Sequence, residues 1–557
     1  MLRKRVLDAE LVKYSLIYLA EEMGVALRRS AYSPNITERA DHSCVILDVN
    51  SRVLAQAEHI PVHLGSMPVG LRGILNYLDE NGIELKEGDV ILSNDPYITG
   101  THLNDVTVIQ PVYYEGRLVV YVANKAHYSD VGGANPASIS AEAEEIYQEG
   151  LLIPPVKIVS NGKVNREALS LLLSNVRMPH VALGDLHAQL AANLTGVKGV
   201  KKLIDRRGLR NFTEACEIFL EQTAEDTGAE YRSMPEGEYY GEDFLESASE
   251  LLDNPVRIAV KVTIEDEQVK LDFSASDTQV KGPVNTVYGV TVAASTFAVR
   301  TLFRKQVSIN DGFYRTVKVY APEGSVVNAT RPYPVSAGNV ETSQRIVDAI
   351  YRALHKAMPD RVPAASCGSM NNIMIGGPGW AFYETIGGGY GGRTGKDGVD
   401  GVHVNMTNTM NTPIEMLEKY YPILFTTYKL RENSMGHGEY RGGCGIERAF
   451  KALEKITATI VGERTKLKPW GVNGGTEAKP AEYLVRRSNN QVTKLKPKHR
   501  ITLAPGDELI IRTAGGGGYG PPEKRPTEKI RKDIENGLLT PDEALKNYPN
   551  INQEDIL

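Results

Sequence analysis

A multi-domain α+β fold is what this chain of 557 residues predicts, and three observations carry it. Residues 1–30 and 166–220 place apolar side chains at helical spacing, whereas 256–273 alternates apolar and polar residues as strands do. Between those helical stretches lie two apolar runs joined by Glu115-Gly116, a dipeptide of the kind that closes hairpins. So long a chain exceeds one hydrophobic core. Shifts of composition divide it into a first region of helices and hairpins (1–235), a larger β-rich region with glycine-rich loops (236–522) and a short helical tail (523–557).

In chain order, Leu11, Tyr14, Leu16, Ile17, Leu19, Ala20, Val25 and Leu27 predict an amphipathic opening helix. Two short strands follow, Cys44 to Leu47 and Val53 to Ala55, with Asn50-Ser51 as their turn and Asp41 just ahead of the first. The hairpin runs from Val106 to Val112 and back from Leu118 to Val122. Leucines between 166 and 220 predict helices, two of them separated by Pro179. A second hairpin turns at Glu265-Asp266-Glu267, and helices are expected over 290–302 and 342–358. Residues 366–445 are dense in glycine, and 449–513 read as strands. Thr527 and Thr540-Pro541 mark the starts of two tail helices, with Gly537 as a stop between them; the tail is expected on the outside of the fold or on a partner.

The composition is that of a globular chain, 41% apolar and 24% charged, and the net charge of −6 with a pI near 6.1 argues against a nucleic-acid partner. Cys44, Cys216, Cys367 and Cys444 are far apart, form no CxxC and read as free thiols of a reducing compartment. Acids at Asp8, Glu10, Glu21 and Glu22 interrupt any signal-peptide core behind Arg3-Lys4-Arg5, and no apolar run is long enough for a membrane span. A cytoplasmic protein is expected.

The hairpin carries the chemistry. His102 and Asp105 stand just before its first strand and His127 just after its second. With a two-residue turn Tyr114 faces Arg117, and counting back puts Asp105 opposite Ala126 and His102 opposite Ser129. Two imidazoles and a carboxylate then gather at the open end, a donor set that suits a divalent metal.

Two glycine patterns, Gly387-x-Gly389-x-x-Gly392 and Gly515-x-Gly517-x-x-Gly520, match the dinucleotide fingerprint but lack its context. The second runs into Pro521-Pro522 and the first into turn residues, with no βαβ unit around either. Gly395-Lys396 is no P-loop, since Tyr390 and Asp397 stand where glycine and a hydroxyl residue are needed. GxSxG and HExxH are absent. Nucleotide, if used, is expected on another chain.

Several motifs together resemble the hydantoinase B/oxoprolinase family. They are Asn94-Asp95-Pro96-Tyr97, Gly100-Thr101-His102 with Asp105, Asn124 to Asp130 with Gly132-Gly133, His59 to Met67, Gly184-Asp185-Leu186, Gly338 to Ser343 and the glycines before Pro521. The likeness spans essentially the whole chain. It implies one divalent metal held by Asp41, His102, Asp105 and His127, with Zn2+ expected first and Mn2+ or Fe2+ next. It also implies an ATP-binding hydantoinase A-type partner that holds ATP-Mg, a heterotetramer of two such pairs, and a lactam or imide substrate. More distantly, the chain is similar to subunits of acetone and acetophenone carboxylases.

Amide resonance protects a lactam carbonyl, so the expected reaction has the partner phosphorylate the carbonyl oxygen and this chain supply the attacking water. Asp130 and His63 are candidates to accept its proton; Asp130, three residues beyond His127, is alternatively the group that fixes that ring. Two rival readings are a carboxylase subunit, in which the metal steadies an enolate, and a non-catalytic scaffold for an ATPase.

Overall fold

The computed structural model describes residues 2–57 and 59–554. The first half runs α1 (Leu2–Ser30), α2 (Pro34–Thr37), β1 (His42–Asp48), β2 (Val53–Gln56), α3 (Pro61–Glu80), β3 (Val90–Ser93), α4 (Pro96–Thr99), β4 (Asp105–Tyr114), β5 (Arg117–His127), β6 (Val156–Ser160) and β7 (Lys163–Val164). Its seven strands form one antiparallel sheet in the order β2-β1-β5-β4-β3-β6-β7. Helices α5 (Arg166–Ser174), α6 (Pro179–Arg207) and α7 (Leu209–Tyr231) follow where the leucine spacing predicts them. Pro179 is the first residue of α6, where a missing N–H costs nothing.

Side chains alternate across a strand, and here the alternation sorts the sheet into two faces. Asn124 of β5 donates to the Gln189 carbonyl of α6, so the even residues of that strand face α6. Val45, Leu47, Ile109, Tyr121 and Ala123 pack with Met67, Leu71 and Ile74 of α3 on the other side. By the same count Asp41, Ser43, Asp105, Lys125 and His127 belong to the α3 face.

The hairpin closes on a two-residue turn with Tyr114 opposite Arg117, and Glu115 and Gly116 both take positive φ. The predicted register does not persist. A bulge near Val112 and Tyr113 leaves Val119 without an opposite residue, so Asp105 pairs with His127 rather than with Ala126. This one-residue correction strengthens the cluster, because directly opposed residues share a face.

Helix α3 is an element the sequence reading missed. Pro61, Pro68 and three glycines argue against a helix by propensity, yet packing decides otherwise. A Cβ on Gly65 would lie 2.4 Å from the Cα of Ala293 on a later helix, so only glycine permits that crossing.

The second half begins with the sheet β11-β10-β9-β8, made of β8 (Gly237–Leu245), β9 (Val256–Ile264), β10 (Val269–Asp272) and β11 (Val317–Tyr320). It carries α8 (Tyr288–Thr301), α9 (Asp311–Tyr314) and α10 (Ser343–Leu354), the last entered through a π-helical turn, Gly338–Thr342. β13 (Trp380–Glu384), β12 (Asn372–Gly377), β16 (Ile456–Val461) and β19 (Lys498–Leu503) form a third sheet in that order. A further segment of helix, α11 (Ile414–Tyr420), precedes β14 (Ile423–Leu430) and β15 (Ile446–Ala452). With β17 (Glu482–Arg486), β18 (Val492–Lys494) and β20 (Glu508–Arg512) these two strands form the last sheet. The tail helices α12 (Thr527–Glu535) and α13 (Pro541–Asn547) pack Ile530, Leu539 and Tyr548 on Met435 and Cys444 of this same chain.

The fingerprint-like glycines are interlocked backbone. A Cβ on Gly389 would lie 2.0 Å from the Gly443 carbonyl oxygen, and one on Gly517 2.1 Å from the Trp470 carbonyl oxygen, so backbone already fills the space beside them. One apolar core runs from Ala9 to Val461, across both halves. Among the described residues no helix is long and apolar enough to cross a membrane.

Candidate metal centre

His102, Asp105 and His127 are buried, and one ligand-capable atom from each lies within 4.8 Å of the others. β4 and β5 bring Asp105 and His127 face to face, and the left-handed Gly100 that ends α4 turns the chain so that His102 enters from the side. His102 Nε2 lies 3.3 Å from Asp105 Oδ1. His63, from the first turn of α3, puts its Nε2 3.2 Å from the same oxygen and 3.9 Å from Asp41 Oδ1, while its Nδ1 meets Ser43 Oγ at 3.3 Å. Asp41 lines the same cavity, with Arg39 3.6 Å from its Oδ2.

Each imidazole is held by its other nitrogen. His102 Nδ1 is 3.1 Å from the Ser336 carbonyl, which is itself fixed by Glu149; that carboxylate accepts from the Val335 and Ser336 amides and the Ser336 hydroxyl. The side-chain amide of Asn35 meets His127 Nδ1 at 3.2 Å. Tyr383 of β13 stacks on the His127 ring, and Arg39 lies over the Tyr383 ring at 4.8 Å. Buried Arg39 also donates to Asn35 Oδ1, the Tyr383 carbonyl and Thr385 Oγ1. Asn339, from the π-helical turn, reaches Asp105 Oδ2 at 3.5 Å.

Burial alone would raise the pKa of Asp105, but His63 and His102 hold it well below the usual carboxylate range. Burial pushes His127 well below the usual imidazole range, leaving its ring neutral. For His102 the pull of Asp105 outweighs burial and the pKa rises; for Asp41 burial wins over Arg39 and His63, and the pKa also rises. His102 Nε2 and His127 Nε2 have no hydrogen-bond partner although buried. Two orphaned imidazole nitrogens beside an ionised carboxylate fit one divalent ion with N/O preference, and Asp41 is placed to add a further oxygen.

The sequence brought His63, Asp41 and the triad to one place, but Asp130 does not belong with them. Its carboxylate accepts from the Gly132, Ala137 and Arg177 amides and from the Arg177 guanidinium at 2.8 Å. Four donors occupy it, and the group beside His127 Nδ1 is Asn35 instead. Asp130 therefore ties the loop 130–137 to Arg177. Arg39, Asn35, Ser336 and Tyr383 were missed; only Arg39, a lone cation two residues before Asp41, left a local signal.

Fold and centre define an α+β protein with a buried His/Asp/His cluster of metal-ligand type where its two halves meet. The chain belongs to the hydantoinase B/oxoprolinase family, whose sequence profile matches residues 6–522. It is 48% identical to an uncharacterized protein of Methanocaldococcus jannaschii over 97% of this chain and 95% of that one. It is 33% identical to the 5-oxoprolinase of Dictyostelium discoideum over 92% of this chain, but spans only 40% of that longer protein. Over 97% of its length it is 30% identical to a Pseudomonas sp. protein provisionally named as the B-type component of a D-/L-hydantoinase, covering 94% of it. The crystal structure of the ATP-dependent caprolactamase from Pseudomonas jessenii superposes with a TM-score of 0.91 at 28% identity, over 98% of this chain and 97% of that one. An acetone carboxylase chain shares the fold, with a TM-score of 0.89 at 18% identity.

Proposed function

We propose that this chain is the ring-opening subunit of an ATP-dependent cyclic amide hydrolase. It would act on a hydantoin, 5-oxoproline or another lactam that an ATP-binding partner has activated by phosphorylating the carbonyl oxygen. The observation that carries this reading is the convergence of His102 Nε2, Asp105 and the buried, unpartnered Nε2 of His127 on one point. These three, with Asp41, are the proposed holders of one divalent metal, zinc or manganese. Such an ion, when bound, acts as a Lewis acid that makes water more acidic and polarises a substrate oxygen.

The chain's own groups account for the rest. His63 faces the cluster and is the proposed acceptor of the attacking water's proton: with the ring hydrogen on Nδ1 and donated to Ser43 Oγ, Nε2 is free to accept, and the Asp105 carboxylate then holds the imidazolium that forms. One water adds to the activated carbon, the ring C–N bond breaks with the nitrogen taking a proton, and a second water hydrolyses the acyl phosphate that remains, releasing phosphate and the carboxylate. The cavity over the cluster leaves about 20 Å3, room for one water molecule.

The test combines metal analysis with activity. Wild type and His127→Ala are dialysed and assayed for bound zinc and manganese, then for ring opening with ATP and the partner. Near-stoichiometric metal in wild type, lost together with ATP-dependent ring opening in the variant, is the expected result. Equal metal in both proteins, or activity without metal, sinks the reading.

A further inference from the structure

Three threonines line the cavity above the metal cluster, and they are joined in a hydrogen-bonded file. Thr385 lies at the end of β13, and Thr407 and Thr409 lie on the loop 405–412 that closes over the cavity. Arg39 Nη2 donates to Thr385 Oγ1 at 2.9 Å, Thr385 Oγ1 is 2.8 Å from Thr409 Oγ1, and Thr409 Oγ1 is 3.4 Å from Thr407 Oγ1. The same loop is anchored to Arg39 by its backbone, Met410 N donating to the Arg39 carbonyl at 3.0 Å.

A guanidinium has donors and no acceptor, so Thr385 accepts from Arg39. Of the two alignments open to the remaining hydroxyls, the one that passes each hydrogen outward from Thr385 to Thr409 is the one that leaves a donor at the cavity. Thr409 in turn offers its hydrogen towards Thr407, over a link long enough for that hydrogen to be shared with a ligand. The Thr407 hydrogen is then left for the cavity. Each hydroxyl in such a chain is polarised by the one before it, and the first is polarised by a cation. Hydroxyls that would otherwise be indifferent become hydrogen-bond donors aimed at the space beside the cluster.

We infer that Thr407 and Thr409 form a donor face, polarised by Arg39 through Thr385, for an anionic oxygen of the activated ring. The inference rests on the proposed hydrolase reading and adds to it the residues that receive the charge. Two sources supply such an oxygen: the phosphoryl group carried in on the substrate, and the oxyanion that develops as water adds to the carbon. Both need donors fixed before the reaction begins.

The experiment uses the metal-loaded chain with its ATP-binding partner and three variants, Thr407→Val, Thr407→Ser and Thr409→Val. Valine keeps the shape and removes the hydroxyl; serine restores it. Inorganic phosphate, titrated calorimetrically, probes the first source, and kcat for ring opening probes the second. A phosphate affinity about tenfold weaker in Thr407→Val and restored in Thr407→Ser assigns the donors to the phosphoryl group. Unchanged phosphate affinity with kcat lowered about 10- to 100-fold, KM held and serine rescuing, assigns them to the oxyanion. Thr409→Val breaks the file upstream and is expected to reproduce the Thr407→Val defect in part. Phosphate affinity and kcat both within twofold of wild type in Thr407→Val, or failure of serine to rescue, overturns the inference. Phosphate binding that depends on Thr407, in a complex that opens no cyclic amide, leaves the donor face standing and removes the hydrolase reading.

Discussion

The ring of Tyr383 lies on that of His127, with centroids 4.5 Å apart and planes within 14° of parallel. A residue from the third sheet thus sets the tilt of a ligand-type side chain from the first. The Tyr383 hydroxyl donates to Asn372 Oδ1, which fixes the phenol from its far end.

Replacing Tyr383 with leucine is therefore expected to weaken metal binding about tenfold. Tyr383→Phe keeps the stack and is expected to stay near wild type. Competition with a chromogenic chelator measures both, and equal affinity in wild type and Tyr383→Leu would show that the stack does not position the ring.

Asp130→Asn is expected to lower stability by about 1–3 kcal/mol, since it breaks a charge-assisted bond to Arg177 and weakens three amide contacts. Metal content should not change. Urea unfolding and elemental analysis of the same sample check both halves; lost metal at unchanged stability would return Asp130 to the centre.

Gly65→Ala tests the α3–α8 crossing that presents His63. The added methyl meets backbone, which cannot step aside as a flexible side chain would, so the expected destabilisation is about 1–3 kcal/mol. Ring opening should fall with it, because His63 rides on the displaced helix. Wild-type stability in the variant would mean that the helices separate freely.

Glu341, on the π-helical turn, gives stability a pH dependence. Burial, reinforced by the nearby Glu463, pushes its carboxyl up to about 8 from the ordinary 4.5. The folded protein then holds a proton that the unfolded chain releases, so stability contributed by this group is present at low pH and declines as pH rises from about 4.5 to about 8. Glu341→Gln should flatten that part of the Tm–pH curve between pH 5 and 8. A variant with the wild-type slope would place the titration on another group.

Much of the centre was legible because it is local. A hairpin turn, two apolar runs and three donors at their open end are all written within residues 102–127, and period-two alternation needs no partner to be read. The register was misjudged by one residue because the bulge at Val119 answers to the twist of a seven-stranded sheet, which no window of sequence displays. Helix α3 was invisible for the opposite reason: the glycines that lower its propensity are the ones its packing needs. Asn35, Ser336 and Tyr383 act across long separations in the chain, and an asparagine, a serine and a tyrosine in ordinary surroundings announce nothing. Asp130 misled because nearness in sequence to His127 stood in for nearness in space, whereas the chain turns at Gly132 and delivers the carboxylate to Arg177.

The span of the centre has a consequence for biogenesis. Its donors lie on one early hairpin, yet the groups that hold their rings stretch from Asn35 to Tyr383. A nascent chain that has emerged only through β5 already carries His102, Asp105 and His127, but none of the later clamps. Tight capture of the proposed metal would therefore have to wait until β13 is synthesised and docked, late in a slow, long-range assembly. Retention of that metal would then read out completed folding, and truncated or stalled chains are expected to emerge empty.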